Sequence, residues 1–596
     1  MGALSALIDF SNPDHPDGPR LRQAFGVARQ VLVAHEPQQV RAVLDAVQEA
    51  AQRGAWCVGY LRYEAAPAFD AALAVHPANA DEPLAWFAVY DEALPWPGDA
   101  TDAADAAAVQ VQWQETCPRP VFDAALAGIQ RAIAQGELYQ VNFTAPLLGT
   151  LRGEPGVDTA RALFSALQRA QPGGYAAFLD TGDAQVLSVS PELFFDWHGG
   201  HILTRPMKGT ARRGASPHDD AAQAEALRTS AKERAENVMI VDLLRNDLSR
   251  IARPFSVRVP RLFHTEALPT LWQMTSDVEA RTREGCSLAD VFAALFPCGS
   301  VTGAPKVRAM QMIHALEPQA RGVYCGAVGV VQPGEDGIRA TFNVPIRTVT
   351  LRGAALRCGI GSGITADASA EGEWQEWRHK QAFVRRASAP FALLETLGLQ
   401  DGCLRDADAH LARMAQAARH FGYLWDALQV EQSLQALVRA HARGAWRVRL
   451  LLDAQGRPQA EAHALDPGPA RVRLRLADHA IAEAHDEFVR FKTTRRAHYD
   501  AFTPTEPGVF DTLLWNADGE ITECTRGNIA LLLDGRWVTP ALRCGLLGGV
   551  GRANALREGR VAEAVVRLED LPRVQALAFV NSLRGWVPAE LEPRAA

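Results

Sequence analysis

Two α+β domains in tandem are the architecture this sequence predicts, and three observations predict it. The chain has 596 residues, more than one hydrophobic core organises. Short β-rich runs alternate with long stretches of helical periodicity. The pattern then restarts after Lys380, across QAFVRRASAPFALLETL, which sets domains at 1–385 and 391–596.

Taken in order, QVRAVLDAVQEAAQRG reads as a helix, WCVGYLRYEA and LAWFAVYD as strands. LPWPGDATDAADAAA reads as a surface loop. A helix over VFDAALAGIQRAIAQGEL runs into YQVNFTAPL. VLSVSPELFFDW and HILTRP are β-rich, and DDAAQAEALRTSAKERAENVMIVDLLRNDLSRI reads as one long helix. Beyond the boundary come helix DADAHLARMAQAARHFG, strands WRVRLLLDA and ARVRLRLA, and a strand pair around ITECTRGNIALLLDGRWVTP. No solenoid-type repeat is present.

Composition narrows the function. The chain is 48% hydrophobic and 22% charged, with a net charge of −8, a globular balance without the basic excess of a nucleic-acid binder. Nine scattered cysteines form no CxxC pair and no zinc spacing, so reduced thiols and a cytoplasmic setting are expected. The opening MGALSALIDFSNPDHPDG lacks signal-peptide design, and no apolar run nears the roughly 20 residues of a membrane span.

HILTRPMKGTARRG, SAKERAENVMIVDLLRNDLSRI, FPCGSVTGAPKVRAMQMI, FNVPIRTV and CGIGSGITADASAEGEWQEWRHK occur in that order. Together they resemble the chorismate-utilising enzymes: anthranilate, aminodeoxychorismate, isochorismate and salicylate synthases. The resemblance spans residues 5 to 385. It implies a large α+β domain with a β-sandwich centre, chorismate as substrate, and a magnesium ion. Magnesium takes oxygen ligands, often one or two carboxylates, and the family match assigns Glu236 and Glu376, with Glu373 as a further carboxylate. Gly359, Gly361 and Gly363 would let backbone amides approach an anion. Arg347 and Lys380 would pair with substrate carboxylates, and Thr302 is a hydrogen-bond donor candidate. GSVTGAPK is not a Walker loop, because no Ser or Thr follows the lysine.

Two positions discriminate within the family. Water-adding members place a general-base lysine where this chain has Gln140. A glutamine cannot deprotonate water, so the nucleophile is ammonia or a protein amine. Lys208 stands where anthranilate synthases resemble this segment but carry Ala, and aminodeoxychorismate synthases carry Lys. A desolvated, partly neutral Lys208 amine would attack ring C2 as the C4 hydroxyl leaves, with ammonia then entering at C4. Glu192, in SPELFF, matches the general acid. Taken singly, Lys208 reads as a surface lysine beside Arg212 and Arg213. Two departures stand out: Gln273 where a His is common, and Cys298 where a Gly is common.

FVRFKTTRRAHYDAF, GEITECTRGNIALLL, CGLLGGVGRANAL and FVNSLRGWVPAEL resemble the fold-type IV pyridoxal-phosphate enzymes, which include aminotransferases and aminodeoxychorismate lyase. The resemblance implies pyridoxal 5'-phosphate carried on Lys492, Glu523 facing its pyridine nitrogen, and a phosphate cup from Val550 and Gly551 with Arg413 as cationic partner. It also implies a two-subdomain fold and homodimer pairing. About 25 residues of the usual family opening are missing, judged from typical strand and loop lengths.

The joint expectation is a bifunctional enzyme: chorismate to 4-amino-4-deoxychorismate, then pyruvate elimination to 4-aminobenzoate. No glutamine-hydrolysing triad is recognisable in the sequence, so ammonia is expected from a separate glutamine amidotransferase subunit. Two alternatives stay open: an anthranilate- or isochorismate-type synthase joined to an aminotransferase, and a synthase with an inactive C-terminal scaffold.

Overall fold

The computed structural model describes residues 4–15, 18–79, 81–97, 109–212, 217–267, 271–335 and 337–592. Most of the expected 94–108 loop, and Arg213, lie outside them. The chain divides into two compact units, Met1–Pro390 and Phe391–Ala596.

Among the described residues the first unit holds two ten-stranded sheets. One runs Gly303–Ala304, Gln140–Arg152, Ala355–Ile364, Thr348–Arg352, Gln185–Ser190, Tyr175–Asp180, Ala6–Phe10, Leu21–Phe25 and Leu94–Pro95, with Gln110–Glu115 pairing Gln140–Arg152. The other runs Met207–Arg212, Leu271–Arg281, His201–Arg205, Leu193–His198, Gly337–Asn343, Ala327–Gly334, Trp56–Leu61, Ala85–Tyr90 and Gln30–Ala34, with Arg258–Ala267 on Leu271–Arg281. The sheets pack face to face through a shared core of Ile8, Phe10, Val58, Tyr60, Trp86, Val186 and Val330, the expected sandwich.

Helices cover both outer faces. Pro37–Gln52, Ala231–Ser249 and Leu288–Leu295 pack on the second sheet, where Phe195, Phe292 and Phe342 form edge-on and tilted ring contacts at 5.0–5.3 Å. Each such pair contributes about 0.5–1.5 kcal/mol beyond burial. Arg119–Ala134, Val157–Ala170, Lys306–Leu316 and Ala370–Lys380 cover the first sheet. With both faces buried, strands such as Trp56–Leu61 are almost wholly apolar rather than alternating. The short helix Ala382–Ala387 sinks Phe383, Val384 and Ala387 into this core, so the first unit runs past residue 385 to Pro390.

The single helix expected over DDAAQAEALRTSAKERAENVMIVDLLRNDLSRI is two, Pro217–Thr229 and Ala231–Ser249. Ser230 separates them, its hydroxyl accepting from the Glu233 amide at 3.4 Å. An N-cap side chain satisfies a donor that a continuing helix would bond to its own carbonyls.

The second unit has a four-stranded sheet, Cys403–Leu404, Leu393–Gln400, Ala445–Leu452 and Pro458–Ala464, and an eight-stranded mixed sheet. The latter runs Ile521–Cys524, Asp511–Trp515, Val472–Leu476, Gly585–Leu591, Val574–Asn581, Asn528–Leu533, Arg536–Pro540 and Ala562–Ala564. These are the expected two subdomains. The expected strand pair over 521–540 is three strands, because the CTRG turn, with Cys524 and Gly527 bonding each other, ends the first after four residues.

Candidate active sites

In the first unit, Lys208 lies on strand Met207–Arg212, in a bulge. The ladder pairs Met207 with Thr275 and then Thr210 with Gln273, one extra residue on the Lys208 side. Bulges re-aim side chains, and Gly209 completes this one at φ 89°, where a Cβ would meet Glu233 Oε2 at 2.7 Å. The Lys208 ammonium lies 3.3 Å from Glu236 Oε2, both side chains nearly buried. Burial pulls the Lys208 pKa down, but Glu236, Glu376 and Glu373 together outweigh it and raise it. The partly neutral amine expected from desolvation alone is therefore corrected: with these carboxylates charged, Lys208 is held as ammonium.

Gln140 begins the strand that runs beside Ala355–Ile364. Its side-chain amide is fully buried, and neither Oε1 nor Nε2 has a hydrogen-bond partner among the described residues. Gly363 explains how it meets Lys208. A Cβ on Gly363 would stand 2.0 Å from Gln140 Nε2 and 2.6 Å from Lys208 Nζ, so both nitrogens crowd one point that only glycine leaves open. Gly359 and Gly361 are glycines for a different reason than anion approach. A Cβ would strike the Tyr324 ring at 2.2 Å in one case and the Phe143 carbonyl at 2.5 Å in the other.

Glu192, between strands Gln185–Ser190 and Leu193–His198, is 3% exposed, and its Oε1 has no partner among the described residues. Burial pushes its pKa up to about 7, against the pull of Ser300 and Lys208, so a large share of it stays protonated up to neutral pH. That is the state of a general acid.

Glu373 and Glu376 project from helix Ala370–Lys380. Glu373 accepts from Ser362 Oγ at 2.6 Å, and Ser362 in turn accepts from Trp377 Nε1 at 3.0 Å. Burial and Glu376 raise the Glu373 pKa. Glu376 pairs with Lys380 at 2.6 Å; burial opposes its ionisation, and Lys380 and Lys208 overcome that. Glu236, Glu373 and Glu376 are hard oxygen donors of the kind magnesium takes, and here lysines balance their charge. They do not form a compact triad. Among the described residues, the one group of three His, Cys, Asp or Glu side chains with donor atoms within 4.8 Å of one another is Asp14, Asp196 and His198.

Other expected contacts are engaged internally. Lys380 Nζ also donates to the Gly361 carbonyl at 2.9 Å. Arg347, at φ 52°, donates to the Lys380 carbonyl and lies 5.3 Å from the Phe383 ring centroid. The Thr302 hydroxyl donates to the Cys298 and Gly299 carbonyls at 3.1 and 3.3 Å, which spends its proton inside its own turn. Gln273 donates weakly to Glu266 Oε2 at 3.4 Å. Cys298 is buried, its thiol 3.2 Å from Ser300 Oγ and pushed up to about 12 by burial.

In the second unit, Lys492 is half-buried among cations and carboxylates. Burial, then Arg413 and Arg496, lower its pKa to about 8, while Glu395 and Glu523 pull the other way. Glu523 is 3% exposed; burial raises its pKa to about 8, and Tyr499 donates to its Oε1 at 2.7 Å. Asn528 Nδ2 lies 3.5 Å from Glu523 Oε2 and donates to the Leu547 carbonyl at 2.9 Å. Val550 and Gly551 open helix Val550–Arg557, so their amides are among those a helix leaves free for an anion. A Cβ on Gly551 would meet the Asn581 carbonyl carbon at 2.6 Å. The NSLRG turn thus closes on this helix start and forms a cradle only glycine permits, which fits a phosphate cup.

Arg413 is tied more tightly than sequence suggests. Its Nε and Nη2 grip Glu395 at 2.8 and 2.7 Å, and Nη1 donates to the Gly548 carbonyl at 3.0 Å. His410 Nδ1 adds 2.6 Å to Glu395. Burial opposes the Glu395 charge, but Arg413 and His410 hold its pKa at about 2. Glu395, His410 and Tyr499 were not singled out from sequence. The i,i+3 spacing of His410 and Arg413 and the LLETL segment were the available signals.

Residues 14–386 match the family described as chorismate binding enzyme, and residues 392–591 match amino-transferase class IV. Aminodeoxychorismate synthase component 1 of Salmonella typhimurium is 41% identical over 264 residues, 44% of this chain and 56% of its own. This chain spans about half the length of the curated relatives it matches. Anthranilate synthase component I from Streptococcus pneumoniae shares the fold of the first unit, with a TM-score of 0.51 at 22% identity over 64% of this chain and 92% of that one. The 4-amino-4-deoxychorismate lyase of Pseudomonas aeruginosa aligns at 23% identity over 34% of this chain and 82% of that one, with a TM-score of 0.31. The match over residues 14–386 covers well over half of the chain, and the chain belongs to the chorismate binding enzyme family.

Proposed function

We propose that the first unit aminates chorismate to 4-amino-4-deoxychorismate and the second converts that product to 4-aminobenzoate and pyruvate. The observation that carries the first half is Lys208, nearly buried and aimed at the Gln140 amide across Gly363. Neutral Lys208 Nζ attacks ring C2 of chorismate, both ring double bonds shift one place, and the C4 hydroxyl leaves as water with the proton of Glu192. Ammonia then bonds to C4 and the C2–Nζ bond breaks, returning the lysine. The net change is chorismate plus ammonia giving the amine plus water. A magnesium ion held by Glu236, Glu376 and Glu373 would supply a Lewis acid for the substrate's oxygens and cancel the carboxylate charge that keeps Lys208 protonated.

In the second unit, Lys492 near pKa 8 is an amine partly neutral at neutral pH, suited to carry the cofactor and to take the C4 proton. Pyridoxal phosphate would supply an electron sink there. Glu523, kept in place by Tyr499, would hold the proton on the cofactor's pyridine nitrogen. Val550, Gly551 and Arg413 would receive the phosphate. Loss of pyruvate leaves the aromatic amine, which balances the elimination.

The amino-transferase class IV match and the NSLRGW segment support this half. Ammonia delivery by a separate glutamine amidotransferase, pairing of two chains through the second unit and a cytoplasmic setting belong to the same reading; no described helix is long and apolar enough to cross a membrane. The experiment is product analysis after incubation with chorismate, ammonium and magnesium, without and then with pyridoxal phosphate. Anthranilate or isochorismate as the first product would replace this reading with the alternative synthases.

A further inference from the structure

Gln140 presents a problem of support. Its amide is buried with neither polar atom bonded among the described residues, so no hydrogen bond among them fixes the side chain against Lys208. Its placement depends on the backbone that carries it. That backbone is gripped by a residue pair outside the motifs discussed so far, Glu317 and Arg321 of LEPQARG, 5% and 4% exposed.

Arg321 spends its guanidinium on three groups. Nε and Nη2 bond the Glu317 carboxylate at 2.8 and 2.6 Å. Nη2 also donates to the Asn142 carbonyl, and Nη1 to the Val301 carbonyl, each at 2.7 Å. Asn142 is two residues beyond Gln140 on the same strand, and Val301 precedes Thr302. The two segments meet there: the Asn142 amide donates to the Thr302 carbonyl at 2.8 Å, and Ala304 pairs with Gln140. The approach is close, since a Cβ on Gly303 would stand 2.1 Å from the Gln140 carbonyl oxygen. Glu317 holds the same strand two residues further on, accepting from the Thr144 amide and hydroxyl at 2.9 and 3.0 Å. Glu64 fixes the clamp itself, accepting from the amides of Arg321 and Gly322 at 2.7 and 3.1 Å.

We propose that Arg321, held by Glu317, is a positioning residue that sets the Gln140 amide against the Lys208 amine and so governs how the nitrogen nucleophile is received. This rests on the reading that the first unit aminates chorismate, with ammonia received where water-adding relatives carry a general-base lysine and this chain has Gln140. A planar fork can span a carboxylate and two carbonyls at once; the single ammonium of a lysine cannot. Loosening the clamp therefore displaces Gln140 while Arg347 and Lys380, the expected partners of the substrate carboxylates, keep their own contacts.

The test uses the full chain with magnesium and compares Arg321→Lys and Glu317→Gln with Arg339→Lys. Arg339 makes a similar fork, to Asp196 at 3.0 Å on both oxygens, in the second sheet outside the site. The wild type is first checked for aminated product from ammonium. If none forms, the functional reading fails and the inference falls with it. If it forms, both clamp variants should raise the KM for ammonium by about tenfold or more, with the KM for chorismate within about twofold, because misplacement of about 1 Å can cost a hundredfold. Arg339→Lys should lower the Tm and leave the KM for ammonium unmoved. Should Arg321→Lys not fold, Glu317→Gln, which keeps an acceptor for Thr144, decides alone. An unchanged KM for ammonium in the folded clamp variants, with only the Tm reduced, overturns the inference and leaves the functional reading standing.

Discussion

Lys208 Nζ stands 3.3 Å from Glu236 Oε2, in a strand bulge that points it into a nest of three carboxylates. A nucleophile there must be both present and deprotonated. Lys208→Ala should therefore cut ammonium-dependent loss of chorismate by about a thousandfold or more, the scale on which removed nucleophiles act. Chorismate affinity should stay near wild type. Initial rates at saturating magnesium decide it, and an unchanged rate removes Lys208 from the chemistry.

Glu236→Gln and Glu376→Gln should each raise the magnesium concentration for half-maximal activity by about tenfold, since a neutral amide is a weaker ligand for a hard cation. Wild-type magnesium dependence in either variant would show that its glutamate is not a ligand.

Glu192 gives a pH signature. Its pKa is raised to about 7, and the acid form is the active one. At constant free ammonia, kcat/KM for chorismate should fall as pH rises through about 7, roughly tenfold per unit beyond it. Glu192→Gln should lower the rate by about a hundredfold to ten-thousandfold and abolish that alkaline limb. A limb that persists in the variant belongs to another group.

Gly551→Ala separates the two halves. The added Cβ meets backbone at 2.6 Å, so the cradle must open. Pyridoxal phosphate affinity, read by equilibrium titration of absorbance, should drop about tenfold or more; such overpacking typically costs about 1–3 kcal/mol. Amination in the first unit should be unaffected. Full cofactor affinity in the variant would move the phosphate elsewhere.

Much of this was legible in the sequence because the chemistry sits in contiguous motifs. Lys208, Glu236 and the Glu373–Glu376 pair each lie in a motif that carries the resemblance, and the structure brings the three carboxylates to bear on Lys208. What escaped needed partners far away in the chain. Nothing near Gly359 announces the Tyr324 ring, and nothing near Lys208 announces that carboxylates from two distant helices would outweigh its burial. The Glu317–Arg321 clamp draws on residues 64, 142, 144 and 301. The helix break at Ser230 was within reach, since SAKE is the spacing of an N-cap with an acidic third residue. Helical periodicity on both sides masked it.

The most direct measurement follows one reaction to its end. Purified chain, chorismate, ammonium, magnesium and pyridoxal phosphate are combined, and products are resolved over time beside a Lys492→Ala variant. The account predicts equal amounts of 4-aminobenzoate and pyruvate from the wild type, and accumulation of 4-amino-4-deoxychorismate at an undiminished rate from the variant. Accumulation of that amine by the wild type, with no 4-aminobenzoate, would contradict the account and leave the second unit a scaffold.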